Sequence, residues 1–174
     1  MYKKVKKKLF NLFCGELVAT ILFAFLWFFY LPQSDWFSLY VKTIPSLLAF
    51  ILLELILLQG TLYWYLKWKQ VKNNDFSNLP GAYLQLFNLF KKLNALFIFI
   101  GIIILGYLII NGAEEIYWYI FIFGFAVLEH INYYHIRLSY QTSVEIKEFL
   151  QRKKLVRSKL AKELTSIKTD KTAL

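Results

Sequence analysis

The stretch LNALFIFIGIIILGYLII (residues 93–110), followed by NGAEE (111–115) and IYWYIFIFGFAVLEHINYYHI (116–136), decides the fold. Each flanking run is long and apolar enough to cross a hydrocarbon layer as a helix, which takes roughly 17–25 residues. The Asn-Gly-Ala-Glu-Glu link between them is polar and turn-forming. It is too short for any arrangement but an antiparallel helical hairpin. Two more such runs lie upstream. The first, 9–31, is ended by Pro32. The second, 45–65, carries Pro45 in its first turn, where a missing N–H costs little.

The expected fold is therefore an all-α integral membrane protein with four transmembrane helices, about 9–31, 45–65, 93–110 and 116–136. A four-helix domain over 1–137 is expected to precede a basic cytoplasmic helical tail over 138–174. Composition agrees: 58% of the 174 residues are hydrophobic and only 18% charged. A soluble fold of this size would lack the polar surface to cover such a core. One cysteine, Cys14, excludes a disulfide framework and a four-cysteine zinc site. The first run contains Glu16 and has no small-x-small cleavage pattern, so an uncleaved anchor is expected rather than a signal peptide.

Charge gives the orientation. All but Lys42 of the 21 lysines and arginines lie in the N-terminal arm, between the second and third runs, or after the fourth. Basic residues are retained on the cytoplasmic side during insertion, so both termini and the middle loop are expected there. The opposite loops carry Asp35, Glu114 and Glu115. Trp27, Trp36 and Trp118 fall at the outer edge of this scheme, and Trp64 and Trp68 at the inner, as expected of an interfacial aromatic belt. The frequency of Lys, Ile, Asn and Phe fits a bacterial cell membrane.

Two cytoplasmic segments have their own patterns. Residues 73–81 are turn-rich, and 82–92 place Leu84, Phe87 and Phe90 at helical spacing, as a short interfacial helix or an extension of the third span. The tail opens on Thr142-Ser143-Val144-Glu145, a capping-box pattern. Ile146, Phe149, Leu150, Val156, Leu160, Leu164 and Ile167 then form one narrow helical stripe. Two roles are expected for this tail: a solvated helix packed loosely on the membrane face, and a contact to anionic lipid headgroups or an acidic partner through Lys153, Lys154 and Arg157. Nucleic acid is not an expected partner.

Polar residues inside the spans each need a reason, because an ionisable group there costs roughly 2.5–3.5 kcal/mol on insertion scales. Glu16, Glu129 and Gln59, from three different helices, all lie about 10 Å from the cytoplasmic edge at 1.5 Å rise per residue. Glu129, His130 and Tyr133 occupy one third of the fourth helix, which suggests a buried cluster with Glu16. Asn132 and His135 point to a neighbouring face, and Glu54 lies near the midplane, where packing or an oligomer contact is expected. The third span carries almost no polar lining, and Gly101 and Gly106 are spaced too far apart for a Gly-x-x-x-Gly contact.

Catalytic signatures are absent. His130 and His135 are five residues apart and diverge on one helix, so no metal site is expected. There is no Gly-x-Ser-x-Gly elbow, phosphate loop or Cys-x-x-Cys pair. The expected function is a non-enzymatic accessory, regulatory or immunity-type subunit without cofactors, contacting a membrane-protein partner or a second copy of itself. The alternative is a proton- or ion-responsive transporter or channel using the inner-half polar layer. A lipid-modifying intramembrane enzyme built on His130 comes third.

Overall fold

Thr43 starts the central helix of the structure. Its hydroxyl accepts a hydrogen bond from the Ser46 N–H at 3.4 Å, and Pro45 follows in the first turn, where its fixed φ suits a helix. The computed structural model describes residues 2–33, 35–138 and 156–172, apart from the side chains of Trp36 and residues 167–172. In chain order the helices are α1 (Tyr2–Phe25), α2 (Asp35–Val41), α3 (Ile44–Lys72), α4 (Gly81–Ile110), α5 (Ile116–Tyr134) and α6 (Lys159–Thr172). No strand forms among the described residues. Their one pairing of extended chain is an antiparallel bridge between Ile136 and Arg157.

Three of the helices are long and apolar enough to cross a membrane: Tyr2–Gln33, Ile44–Lys72 and Gly81–Ile110. The first is continuous but uneven. After Phe25 it widens into a π-turn over Leu26–Tyr30, with the Leu31 N–H bonded to the Leu26 carbonyl, then tightens into a 3₁₀ turn over Leu31–Gln33. Pro32 offers no N–H to the Phe28 carbonyl, which explains why regular α geometry fails one turn before it.

Helix α3 is the hub, packed most extensively against α1 and α5. Helix α4 is attached along a seam in which Phe87, Asn94, Gly101 and Leu108 recur every seven residues. Gly101 lets the seam close: a Cβ there would collide with the Phe123 ring, and the Tyr119 hydroxyl donates to the Gly101 carbonyl at 2.8 Å. The sequence spacing of Gly101 and Gly106 gave no sign of this contact. Segment 82–92 belongs to α4, so the extension alternative holds. Beyond Asn94 the outer face of α4, including Phe99, Ile102 and Ile103, is exposed and apolar, as are Val18, Ile21 and Leu22 of α1. Contiguous apolar area of this extent is rare on water-soluble monomers.

Glycine and asparagine end the helices. Gly112, at φ +61°, follows α4, with the Ala113 N–H bonded to the Leu108 carbonyl and the Gly112 N–H to Ile109. Asn74, at φ 61°, ends α3 in the same way. Both are Schellman terminations, for which the left-handed conformation is required.

The tail departs from its expected form. Val156 lies outside any helix: the Arg137 N–H donates to its carbonyl at 2.9 Å, and the Ser158 N–H donates to the His135 carbonyl at 3.2 Å. Ser158 then caps α6 by accepting from the Ala161 N–H at 3.0 Å, and its hydroxyl donates back to the Tyr133 carbonyl. The stripe from Val156 to Leu164 is thus broken at Ser158. The helix beyond it is docked, not loosely solvated, for Leu160 and Glu163 are both buried. The Thr142–Glu145 pattern, Ile146, Phe149, Leu150, Lys153 and Lys154 lie outside the described residues.

Candidate functional site

Helix α5 carries different chemistry on its two faces. Toward α3 and α4 the polar groups are closed into a network. Gln59 Nε2 donates to Asn94 Oδ1 at 3.1 Å, and Asn94 Nδ2 donates to Gln59 Oε1 at 2.7 Å. The Tyr134 hydroxyl donates to the same Gln59 oxygen at 2.7 Å. Asn94 is fully buried, which corrects the expectation that this helix supplies almost no polar lining. The Lys91 ammonium reaches the Tyr134 carbonyl at 3.3 Å, a cation placed where a helix C-terminus favours one. His130 belongs to this side. Its ring lies 5.1 Å from that of Tyr134 and 5.5 Å from that of His135, and its buried Nδ1 has no hydrogen-bond partner.

Toward α1 the arrangement is open. Tyr133 is seated against α3 at Gly60, where any Cβ would collide with its ring. Its hydroxyl lies beside the Glu16 carboxyl, without a formed hydrogen bond, and Glu129 is within electrostatic reach of Glu16. Glu129 is held in turn by Asn132, whose Nδ2 donates to its Oε2 at 3.2 Å. Asn132 Oδ1 accepts the Leu138 N–H at 2.9 Å. Glu16, Glu129 and Tyr133 therefore gather, while His130 is turned away from them. One helical turn above, Thr20 meets Thr61 at 3.5 Å where α1 crosses α3.

Glu16, Asn132 and Tyr133 border a cavity of about 510 Å³ between α1, α3, α5 and the start of α6. Its α1 wall runs from Val5 to Ala19 and includes Gly15 and Glu16; Tyr63 and Trp64 of α3 form the back. Lys8, Arg137 and Lys159 stand around its lysine-rich end. Lys159 is exposed as a residue, but partial desolvation of its ammonium pulls it below its usual value, and nearby Lys67 adds to this, partly offset by Glu163. Three buried donors on the wall make no formed hydrogen bond: the Tyr63 and Tyr133 hydroxyls and Trp64 Nε1. The Tyr133 hydroxyl lies beside Glu16 and the Tyr63 hydroxyl beside Glu163, neither in a formed hydrogen bond, so all three donors can still turn to an acceptor in the cavity.

The tail helix closes the base of this region through a feature the sequence reading missed. Lys67 is buried and its ammonium has three partners: Glu163 Oε1 at 3.0 Å, Gln70 Oε1 at 3.1 Å and the Ser77 carbonyl at 2.9 Å. The second Glu163 oxygen accepts the Leu79 N–H at 3.3 Å. Gln70 in turn donates to Asp75, Ser77 and the Asn78 carbonyl, which ties loop 73–79 to the same point.

Of the other expected site residues, Glu54 is half-buried on α3 with one carboxylate oxygen enclosed and unpartnered. Arg157 is exposed and enters the site only through its backbone bridge. At the opposite end, Trp27 stacks on Phe50 with centroids 4.3 Å apart and is buried, not lipid-facing. A cavity of about 330 Å³ beside it is walled by aromatic and aliphatic groups. Among the described residues no group of three or more His, Cys, Asp or Glu side chains is placed to hold a metal ion. No protein-family model, curated protein or solved structure matches the chain.

Proposed function

We propose that this chain is a four-span protein of a bacterial cell membrane, with both termini in the cytoplasm, acting as a non-enzymatic accessory, regulatory or immunity-type subunit. The position of α5 supports a fourth crossing. Tyr119 bonds α4 near one end of it, and Tyr134 bonds α3 at the other. Those two anchors are about 22 Å apart along the helix, so α5 runs beside two apolar helices through most of a hydrocarbon core roughly 30 Å thick. The sorting of all basic residues but Lys42 to one side supports the orientation.

The observation that carries the accessory reading is the Lys67–Glu163 contact. It fastens the basic helix α6 and loop 73–79 to the central span, and so gives the bundle a built cytoplasmic surface for a partner. The test is twofold. Reporter fusions at both termini and within 111–115 should place the termini together and the short loop opposite. Purification in mild detergent should then yield a stoichiometric partner. A solitary protein with intrinsic turnover would refute the accessory role, and termini in opposite compartments would refute the topology.

A second reading, as a proton- or ion-responsive transporter or channel, is favoured by Glu16 lying beside Tyr133 with Glu129 in reach. Liposome flux that is unchanged by Glu16→Gln and Glu129→Gln, or no flux at all, eliminates it.

A further inference from the structure

We propose that the cavity between α1, α3, α5 and α6 binds a single anionic membrane lipid. Its acidic headgroup sits among Lys8, Arg137 and Lys159, and an acyl chain lies along Leu12, Gly15 and Ala19.

Three independent features lead there. The first is size: at about 510 Å³ the cavity is in the range of sites that enclose most of a small ligand, roughly 300–1,000 Å³. The second is the distribution of charge. Among the described residues its basic end carries Lys8, Arg137 and Lys159, and Glu16 is the one carboxylate on the wall. Leu9, Leu12 and Ala19 make the α1 wall largely aliphatic, and a Cβ on Gly15 would meet nothing within 4 Å, so that side has room for a chain. The third is the set of unpartnered donors. Tyr63 and Tyr133 are 1% and 5% exposed, and with Trp64 Nε1 they offer hydrogen bonds to phosphate or ester oxygens. Soluble phosphate would satisfy the cations but not the aliphatic wall, so the occupant combines both chemistries. The lowered Lys159 ammonium fits the same picture, because a bound anion favours the charged form that desolvation and Lys67 disfavour.

This inference rests on the membrane reading for the source of the ligand, but not on the accessory role. The full chain is reconstituted into phosphatidylcholine vesicles containing either acyl-brominated phosphatidylglycerol or acyl-brominated phosphatidylcholine. The Trp64 signal is isolated by subtracting the Trp64→Phe variant. Brominated phosphatidylglycerol should quench Trp64 at a several-fold lower mole fraction than brominated phosphatidylcholine. Lys159→Gln should reduce that preference about fivefold, the expected value for one cation at an anionic surface. Gly15→Phe should abolish it while leaving the thermal transition in place, since the ring enters open space.

Equal quenching by the two lipids overturns the proposal, as does quenching that persists in folded Gly15→Phe. Displacement by inorganic phosphate, independent of acyl chain, also overturns it in favour of a soluble anion. A chain that never inserts into vesicles defeats the membrane reading and the lipid site together. Correct insertion without anionic preference defeats the site alone.

Discussion

The two faces of α5 differ in how their polar groups are completed. Toward α3 and α4, Gln59, Asn94 and Tyr134 satisfy one another within 3.1 Å. Toward α1, Tyr133, Trp64 and Glu16 surround a cavity, and the donors among them remain unpartnered. Both faces lie at the same level of α5 and use similar residue types. Polarity inside an apolar bundle therefore does not by itself mark function. A closed set fixes helix register, whereas an open set beside a cavity has chemistry left to offer.

The strongest way to break the comparison is to turn the most completely satisfied group into an open one. Lys67→Met leaves the Glu163 carboxylate buried without its cation, which is expected to cost about 3–5 kcal/mol. Unfolding in detergent should show that loss, and protease should cut near α6. Lys67→Met combined with Glu163→Leu should recover most of it. A double variant as unstable as the single would mean that the ion pair is not what holds the tail.

Glycine sharpens the contrast at the next level. Gly60→Ala forces a Cβ into the Tyr133 ring and should destabilise by about 1–3 kcal/mol. Gly15→Ala enters open space and should stabilise by up to about 1 kcal/mol through helix propensity. Thermal melts of the two variants should move in opposite directions; a shared direction would mean that the cavity is not as open as its geometry shows. Gln59→Leu strands the Asn94 amide and the Tyr134 hydroxyl, at about 1 kcal/mol, since interhelical bonds in membranes average roughly 0.6 kcal/mol each. Adding Asn94→Leu should cost less than the sum of the single changes, and strict additivity would show that the network is not cooperative.

What the sequence disclosed follows the range of the interactions. The hairpin around 111–115 and the proline-marked helix ends depend on local spacing, and both were legible. The choice between His130 and Tyr133 was not. The two lie only about 60° apart on a helix, so a helical wheel gives both to one face, and packing against Gly60 decides which meets α1. Standing among lysines, Lys67 reads from the sequence as a topology signal. Its spacing of four from Tyr63 and Val71, both buried, was the available hint. Val156 fits a 3.6-residue period, and only its long-range pairing opposite Arg137 takes it out of a helix. Asn94 was hidden by its position at the start of a very apolar run.

The smallest expected effect lies where the Lys67–Gln70 network reaches water. Asp75 is exposed, yet the Gln70 amide and the Ser77 N–H hold its carboxyl down to about 2, below an ordinary value of 3.8. A depressed carboxyl contributes stability that is complete above its ordinary value and disappears as pH falls through the lowered one. Loop 73–79 should therefore keep its form down to about pH 4 and loosen between there and pH 2. The Lys67 bond to the Ser77 carbonyl involves no titration of Asp75, so the bundle should not follow. Carboxyl resonances followed during acid titration should give Asp75 a midpoint near 2, moving up toward 3.8 in Gln70→Ala. An unshifted midpoint in the wild type would show that the closed network stops at the buried end of Gln70, leaving Lys67 and Glu163 to hold the loop unaided.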